Sequence, residues 1–126
     1  MKKLKGVITA MTTCLDENDQ VDVLATEALT EFLIEKGVDC LYPCGTTGES
    51  HLLTTAERKL IAETVVKKAN GRVTVYVQVG AMTTKETIEL AKHAHEIGAD
   101  GIGVVTPSYF HVNDEGIIDL DRKSVV

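Results

Sequence analysis

Residues 42–50, YPCGTTGES, hold the densest set of potentially reactive groups in this 126-residue chain. Gly45 and Gly48 bracket Thr46 and Thr47, just after a strand-like run that ends at Pro43. Glycines so placed let backbone N–H groups face one way and form a concavity for an anion. The two threonine hydroxyls add donors without net charge, which suits a small carboxylate or a phosphate. The competing reading is an ordinary glycine turn ahead of a helix. The stretch lacks the lysine of the phosphate-binding loop and the glycine spacing of the dinucleotide fingerprint. Glu49 reads either as a base or as a partner for the positive end of the following helix. A second constellation, TPSYF at 106–110, follows another apolar run. There the Tyr109 phenol either enters the same site as a proton relay or packs as an aromatic over the strand ends.

Four apolar runs precede these loops: GVITAM at 6–11, VDCLYP at 38–43, VTVYVQV at 73–79 and GIGVVT at 101–106. Short, β-branched and flanked by glycine, they read as strands buried on both faces. Between them lie helical patterns. Ala25, Leu29, Phe32 and Leu33 form one apolar stripe in 22–36. Ala62, Val65, Val66 and Ala69 form the stripe of 54–70, and Leu90, Ala94 and Ile97 that of 83–97. Thr54 with Glu57 and Thr83 with Glu86 each spell a capping box. Gly37, Gly71 and Gly98 stand just past the helices, where a left-handed cap needs no Cβ.

The units repeat, since EKGVDCL at 35–41 is echoed by EIGADGI at 96–102. Repeated βα units give parallel strands with right-handed crossovers. The order expected is β-α-β-α-β-α-β, with a fourth helix starting near Glu115, in one α/β domain over 1–126. Two architectures satisfy it, a small open doubly wound sheet or part of a (β/α)8 barrel. Both carry ligands on the loops at the carboxyl ends of the strands. Those loops hold the hydroxyls and glycines and place the site near Thr13, Thr46, Thr47 and Tyr109. The loops of the opposite edge look like plain turns.

Composition removes several function classes. A net charge of −6 and scattered basic residues argue against a nucleic-acid partner. No run approaches the ~20 apolar residues of a membrane span. The interrupted apolar start after Lys2, Lys3 and Lys5 reads as a first strand rather than a secretion signal. Three cysteines, Cys14, Cys40 and Cys44, do not make a secreted disulfide framework, so the chain reads as cytoplasmic. Cys14, Cys44 and His51 lack paired metal-ligand spacing and read as small thiols and a lone imidazole. DENDQVD at 16–22 starts like a calcium loop, but Val21 stands where glycine is required, leaving a solvated acidic turn.

GTTGE, followed downstream by TP-x-Y, resembles the dihydrodipicolinate synthase / N-acetylneuraminate lyase family. The likeness extends from about Leu4 to about Gly116 through LKGVITAMTT, GVDCLYPCGTTGES, LTTAER, VQVGAMTT, GADGIGVVTPSYF and DEG. It implies a (β/α)8 barrel, a homo-oligomer built from tight dimers, and class I lyase chemistry on pyruvate or another small 2-oxo acid. No further cofactor or metal is implied. By this resemblance Thr46 and Thr47, framed by Gly45 and Gly48, hold the substrate carboxylate. Thr46 and Tyr109 are catalytic members of the proton relay, with Tyr109 supplied to the neighbouring subunit. GTTGE is closer to the synthase branch.

The sequence also departs from the family pattern. Thr13 and Cys14 replace a proline and a large apolar residue, and Ser108 precedes Tyr109 where the synthase tends to carry two tyrosines. The Schiff-base lysine is expected on a sixth strand and another catalytic tyrosine on a fifth, and only four strand patterns are present. Residues 117–126, IIDLDRKSVV, read as an atypical tail that abandons the helix, like the end of a truncated or frameshifted gene. The expectation is an N-terminal half barrel, inactive alone for want of the lysine. The alternatives are a half barrel completed by a second chain and a small-carboxylate-binding or structural module.

Overall fold

The computed structural model describes residues 4–125. Four strands alternate with four helices: β1 Ile8–Ala10, α1 Val23–Glu35, β2 Cys40–Tyr42, α2 Thr55–Ala69, β3 Thr74–Gln78, α3 Thr84–Glu96, β4 Gly101–Gly103 and α4 Asp114–Ser124. A 3-10 turn, Ser50–Leu52, precedes α2. All strand pairs are parallel and the sheet order is β1-β2-β3-β4. A doubly wound sheet would reverse direction at a switch point. Here every crossover steps the same way, and right-handed crossovers then put all the helices on one face. Each helix packs on the next in the chain.

The core lies between the sheet and that helical layer. Val75 and Val77 of β3, with Val79 just beyond it, form the core cluster with Ile61, Ala62 and Val65 of α2 and Leu90, Ala91 and Ala94 of α3. On the opposite face Tyr42 and Tyr76 lie across β4, and a Cβ at Gly103 or Gly101 would overlap their rings. Burial on both faces holds for β2, where Cys40 and Leu41 are fully buried. It fails for β1, whose Ile8 is 44% exposed. β1 and β4 each pair on one side only among the described residues.

The echo between 35–41 and 96–102 has a physical cause. Asp39 donates its N–H to Val7 O at 3.0 Å, and its Oδ2 accepts from Val7 N at 2.8 Å. Asp100 repeats this with Val75, donating to the carbonyl at 2.9 Å and accepting from the N–H at 3.0 Å. Each aspartate fastens the start of its own strand to the start of the strand before it. Gly37 and Gly98 take positive φ at the helix ends, as the pattern implies, while both Asn70 and Gly71 do so after α2.

Three local expectations need correction. Phe32 is 51% exposed and lies off the buried stripe; the buried positions of α1 are Thr26 and Thr30. Their hydroxyls donate back to Asp22 O and Thr26 O, which lets polar side chains enter the interface. The capping box at Thr54 is complete, but at Thr83 the reciprocal bond is replaced. There the Glu86 carboxylate accepts from Thr55 Oγ1 at 2.8 Å, tying the starts of α2 and α3 together. Residues 117–124 are not an irregular tail but the body of α4. Asn113 caps the helix by accepting from Gly116 N at 2.9 Å, and Asp119 pairs with Lys123 one turn on. Asp114 and Glu115 in the first turn and Arg122 and Lys123 in the last follow the helix dipole. Leu120 and Ser124 form the buried contact.

Candidate functional site

The sequential sheet gathers four loops at the carboxyl ends of its strands, residues 11–22, 43–54, 79–83 and 104–113. The first two are tied together. Met11 N donates to Tyr42 O at 3.1 Å, and Thr13 Oγ1 donates to Gly48 O at 2.6 Å. Gly48 is required by that approach, because a Cβ there would stand 2.9 Å from Met11 O. A Cβ at Gly45 would press on the Tyr42 ring at 3.2 Å.

Neither Gly45 nor Gly48 supplies the unusual backbone that the sequence suggested. The left-handed residues of the turn are Cys44, at φ 60°, and Glu49, at φ 53°. A non-glycine residue held there costs on the order of 1–3 kcal/mol. The glycines are needed for close packing, and the surrounding bonds impose the curvature. Glu49 N donates to Thr46 O at 3.0 Å and Ser50 N to Gly45 O at 3.3 Å. This closes a turn whose tip presents Thr46 and Thr47 to solvent while Gly45 and Gly48 are buried. Among the described residues, no hydrogen bond uses the Thr46 or Thr47 hydroxyls or the N–H groups of 46–48. The turn therefore offers uncommitted donors of both kinds on a rigid base.

Tyr109 makes no hydrogen bond to those threonines among the described residues. It is 79% exposed, and its ring meets Phe110 edge-on at 5.0 Å. Glu49 is exposed beside the 3-10 turn and makes no side-chain cap there. Residues 16–22 form a tight acidic turn in which Asp16 Oδ1 accepts from Asn18 N and Gln20 N, closed by a Leu15–Val21 bridge. Cys14, Cys40 and Cys44 are free thiols. Burial, only partly offset by the nearby Arg58 charge, pushes the Cys44 thiol up to about 11, so it stays protonated at neutral pH. A mostly apolar groove of about 470 Å³, lined by Ala91, Ala94, His95, Asp100, Ile102 and Val125, opens at the opposite edge near the start of β4. Its position separates it from the threonine turn.

Two residues beneath the turn escaped the sequence reading. Arg58, on α2, is 4% exposed, and one guanidinium NH2 group donates to Gln78 O at 2.9 Å and Gln78 Oε1 at 3.0 Å. The signal was present: Arg58 continues the stripe of Ile61, Ala62 and Val65 by one turn, a charge on an apolar face.

Comparison with known proteins places this geometry. The sequence profile described as the Dihydrodipicolinate synthetase family matches residues 3–123. A 4-hydroxy-tetrahydrodipicolinate synthase of Bartonella bacilliformis is 45% identical over 114 residues, 90% of this chain and 39% of that protein. An N-acetylneuraminate lyase of Mediterraneibacter gnavus is 36% identical over 117 residues, 93% of this chain and 37% of that protein. In three dimensions the chain superposes on YagE, a prophage protein of the dihydrodipicolinic acid synthase family from E. coli K12 solved with pyruvate. The TM-score is 0.92 at 37% identity, covering 95% of this chain and 40% of YagE. The chain thus spans about two fifths of the length of the curated relatives it matches. Its four βα units are a partial (β/α)8 barrel, and the chain belongs to the dihydrodipicolinate synthetase family.

Proposed function

We propose that these 126 residues carry the carboxylate-recognition part of a 2-oxo-acid lyase site, acting in the cytoplasm on pyruvate or a close analogue. The observation that supports this reading most is the turn itself. Two exposed hydroxyls and uncommitted amides stand on a tip fixed by Thr13, on the edge where such barrels hold ligands. Thr46 and Thr47, with the amides between Gly45 and Gly48, donate to the carboxylate. Thr46 also passes a proton. Tyr109, exposed and turned toward Phe110, suits service to a neighbouring subunit of a homo-oligomer.

The covalent step requires an unprotonated lysine amine, which adds to the ketone carbon and expels water to leave a Schiff base. Every described lysine lies on or beside a helix or ahead of β1, and none stands in the four loops of the ligand edge. This polypeptide therefore binds the acid end of the substrate and does not itself form the adduct. Incubation with pyruvate and borohydride, read by intact mass, is expected to leave the protein unmodified. A stoichiometric adduct on one lysine overturns the reading.

The one-sided pairing of β1 and β4 supports a second reading, in which another chain supplies the remaining strands and the amine. Pyruvate calorimetry and borohydride trapping, with and without a candidate partner chain, separate the two. Tighter binding and a stoichiometric adduct formed only in the mixture support completion in trans, and no change on mixing removes it.

A further inference from the structure

Arg58 carries a formal charge into the interior, where burial lowers its pKa and no carboxylate forms an ion pair with it among the described residues. Its acceptors are neutral, and its Nε has no partner among them. Burying a guanidinium in this way is costly, and an apolar side chain of similar volume would usually fill the space as well. The location shows what the charge accomplishes. Its acceptor Gln78 ends β3, and Gln78 N donates to Pro43 O at 3.2 Å. Pro43 is followed by Cys44, the first left-handed residue of the turn. Cys44 Sγ in turn lies 3.6 Å from Arg58 O and donates toward it. One side chain and its own backbone thus hold the end of β3, the end of β2 and the root of the threonine turn in a single cluster.

We propose that Arg58 is a positioning residue for the threonine turn. By bridging Gln78 and the Pro43–Cys44 root, it holds the left-handed step that aims Thr46 and Thr47 outward. The planar guanidinium suits this task because one nitrogen reaches two acceptors in a fixed plane, which the rotating ammonium of lysine does not reproduce. Only the ligand half of this inference rests on the function proposed above; the clamp itself stands on geometry.

The test uses the whole 126-residue chain and two variants, Arg58→Lys and the milder Gln78→Ala. Amide hydrogen exchange at Glu49 and Ser50 reports the turn, and amides in the middle of α3 report global stability. Arg58→Lys should speed exchange at Glu49 and Ser50 at least tenfold more than in α3, and Gln78→Ala by a smaller factor in the same place. Pyruvate affinity, measured by calorimetry, should fall at least tenfold in Arg58→Lys. Exchange that changes equally in the turn and α3, or in neither, overturns the clamp. If Arg58→Lys fails to fold, Gln78→Ala alone decides by the same criterion. Selective loosening of the turn in a wild-type background that binds no pyruvate upholds the clamp and sinks only the ligand reading.

Discussion

The two edges of the sheet solve opposite problems. At the amino-terminal edge, Asp39 and Asp100 each spend a carboxylate on the N–H of a neighbouring strand, and both turns satisfy their own polar groups. At the carboxyl edge, the 43–50 turn is also tightly bonded at its base but leaves donors unused at its tip. A buried backbone group without a partner is costly, so an edge built for stability closes its bonds internally. The carboxyl edge instead holds left-handed residues at Cys44 and Glu49 and leaves donors unpaired, which suits the binding role proposed for it. On that proposal, stability and recognition should be separable by mutation.

Asp100→Ala should give the largest stability effect. It strips the Val75 N–H of its acceptor at a part-buried site, a loss of about 1–3 kcal/mol in chemical denaturation. Pyruvate affinity in the folded fraction should be unchanged; a parallel loss of affinity would show that the edges are coupled. Thr46→Val and Thr47→Val should invert the pattern. Exposed substitutions shift stability by no more than about 0.5 kcal/mol. Pyruvate binding by calorimetry should weaken by at least tenfold, about 1.4 kcal/mol. Unchanged binding in both variants would remove the turn from the site.

Thr13→Val probes the join between the two. It deletes the 2.6 Å bond to Gly48 O, a net loss of about 1 kcal/mol, and frees the turn to relax. Stability and affinity should fall together here, each by less than in the edge-specific variants. A stability loss without any change in affinity would mean that Thr13 supports the loop and not the posture of its tip.

The sequence revealed the strands, the three long helices and the repeat because each rests on a local signal: β-branched runs, capping threonines, glycine at the helix end. What it hid was long-range. Phe32 fits a helical stripe by spacing, yet which flank of α1 is covered is set by its packing against α2 and the core, and Thr26 and Thr30 took the buried places. The strained backbone was assigned to Gly45 and Gly48 by residue type, but it falls at Cys44 and Glu49, because contacts with Met11 and Tyr42 demand small residues elsewhere. The helical character of 117–124 was masked because its covered face is short and ends in a serine: Ile117, Leu120 and Ser124 turn inward among charges that follow the dipole and an Asp119–Lys123 pair. The exposed tip at Thr46 and Thr47 follows from residue type and spacing; for Arg58 the sequence shows a charge on an apolar stripe but not its partners Gln78 and Cys44, which are distant in sequence.

The smallest expected effect lies in the acid response of the stability edge. Glu31 on α1 accepts two bonds from Arg72, which stands just ahead of β3, and pairs with Lys68 at 3.4 Å. The Arg72 hydrogen bonds, reinforced by Lys68, hold the Glu31 carboxyl down to about 2 from its ordinary 4.5. A depressed carboxyl stabilises the fold only while ionised, so its contribution is complete above about pH 4.5 and disappears as pH falls toward 2. The cluster is solvent-screened, so the loss is small and salt-sensitive. Denaturation midpoints followed from pH 5 to pH 2 should decline less steeply in Arg72→Met than in the native chain, while turn exchange at Glu49 and Ser50 keeps the same pH dependence in both. A slope unaltered by Arg72→Met would remove this cluster from the fastening of the amino-terminal edge and leave that role to Asp39 and Asp100.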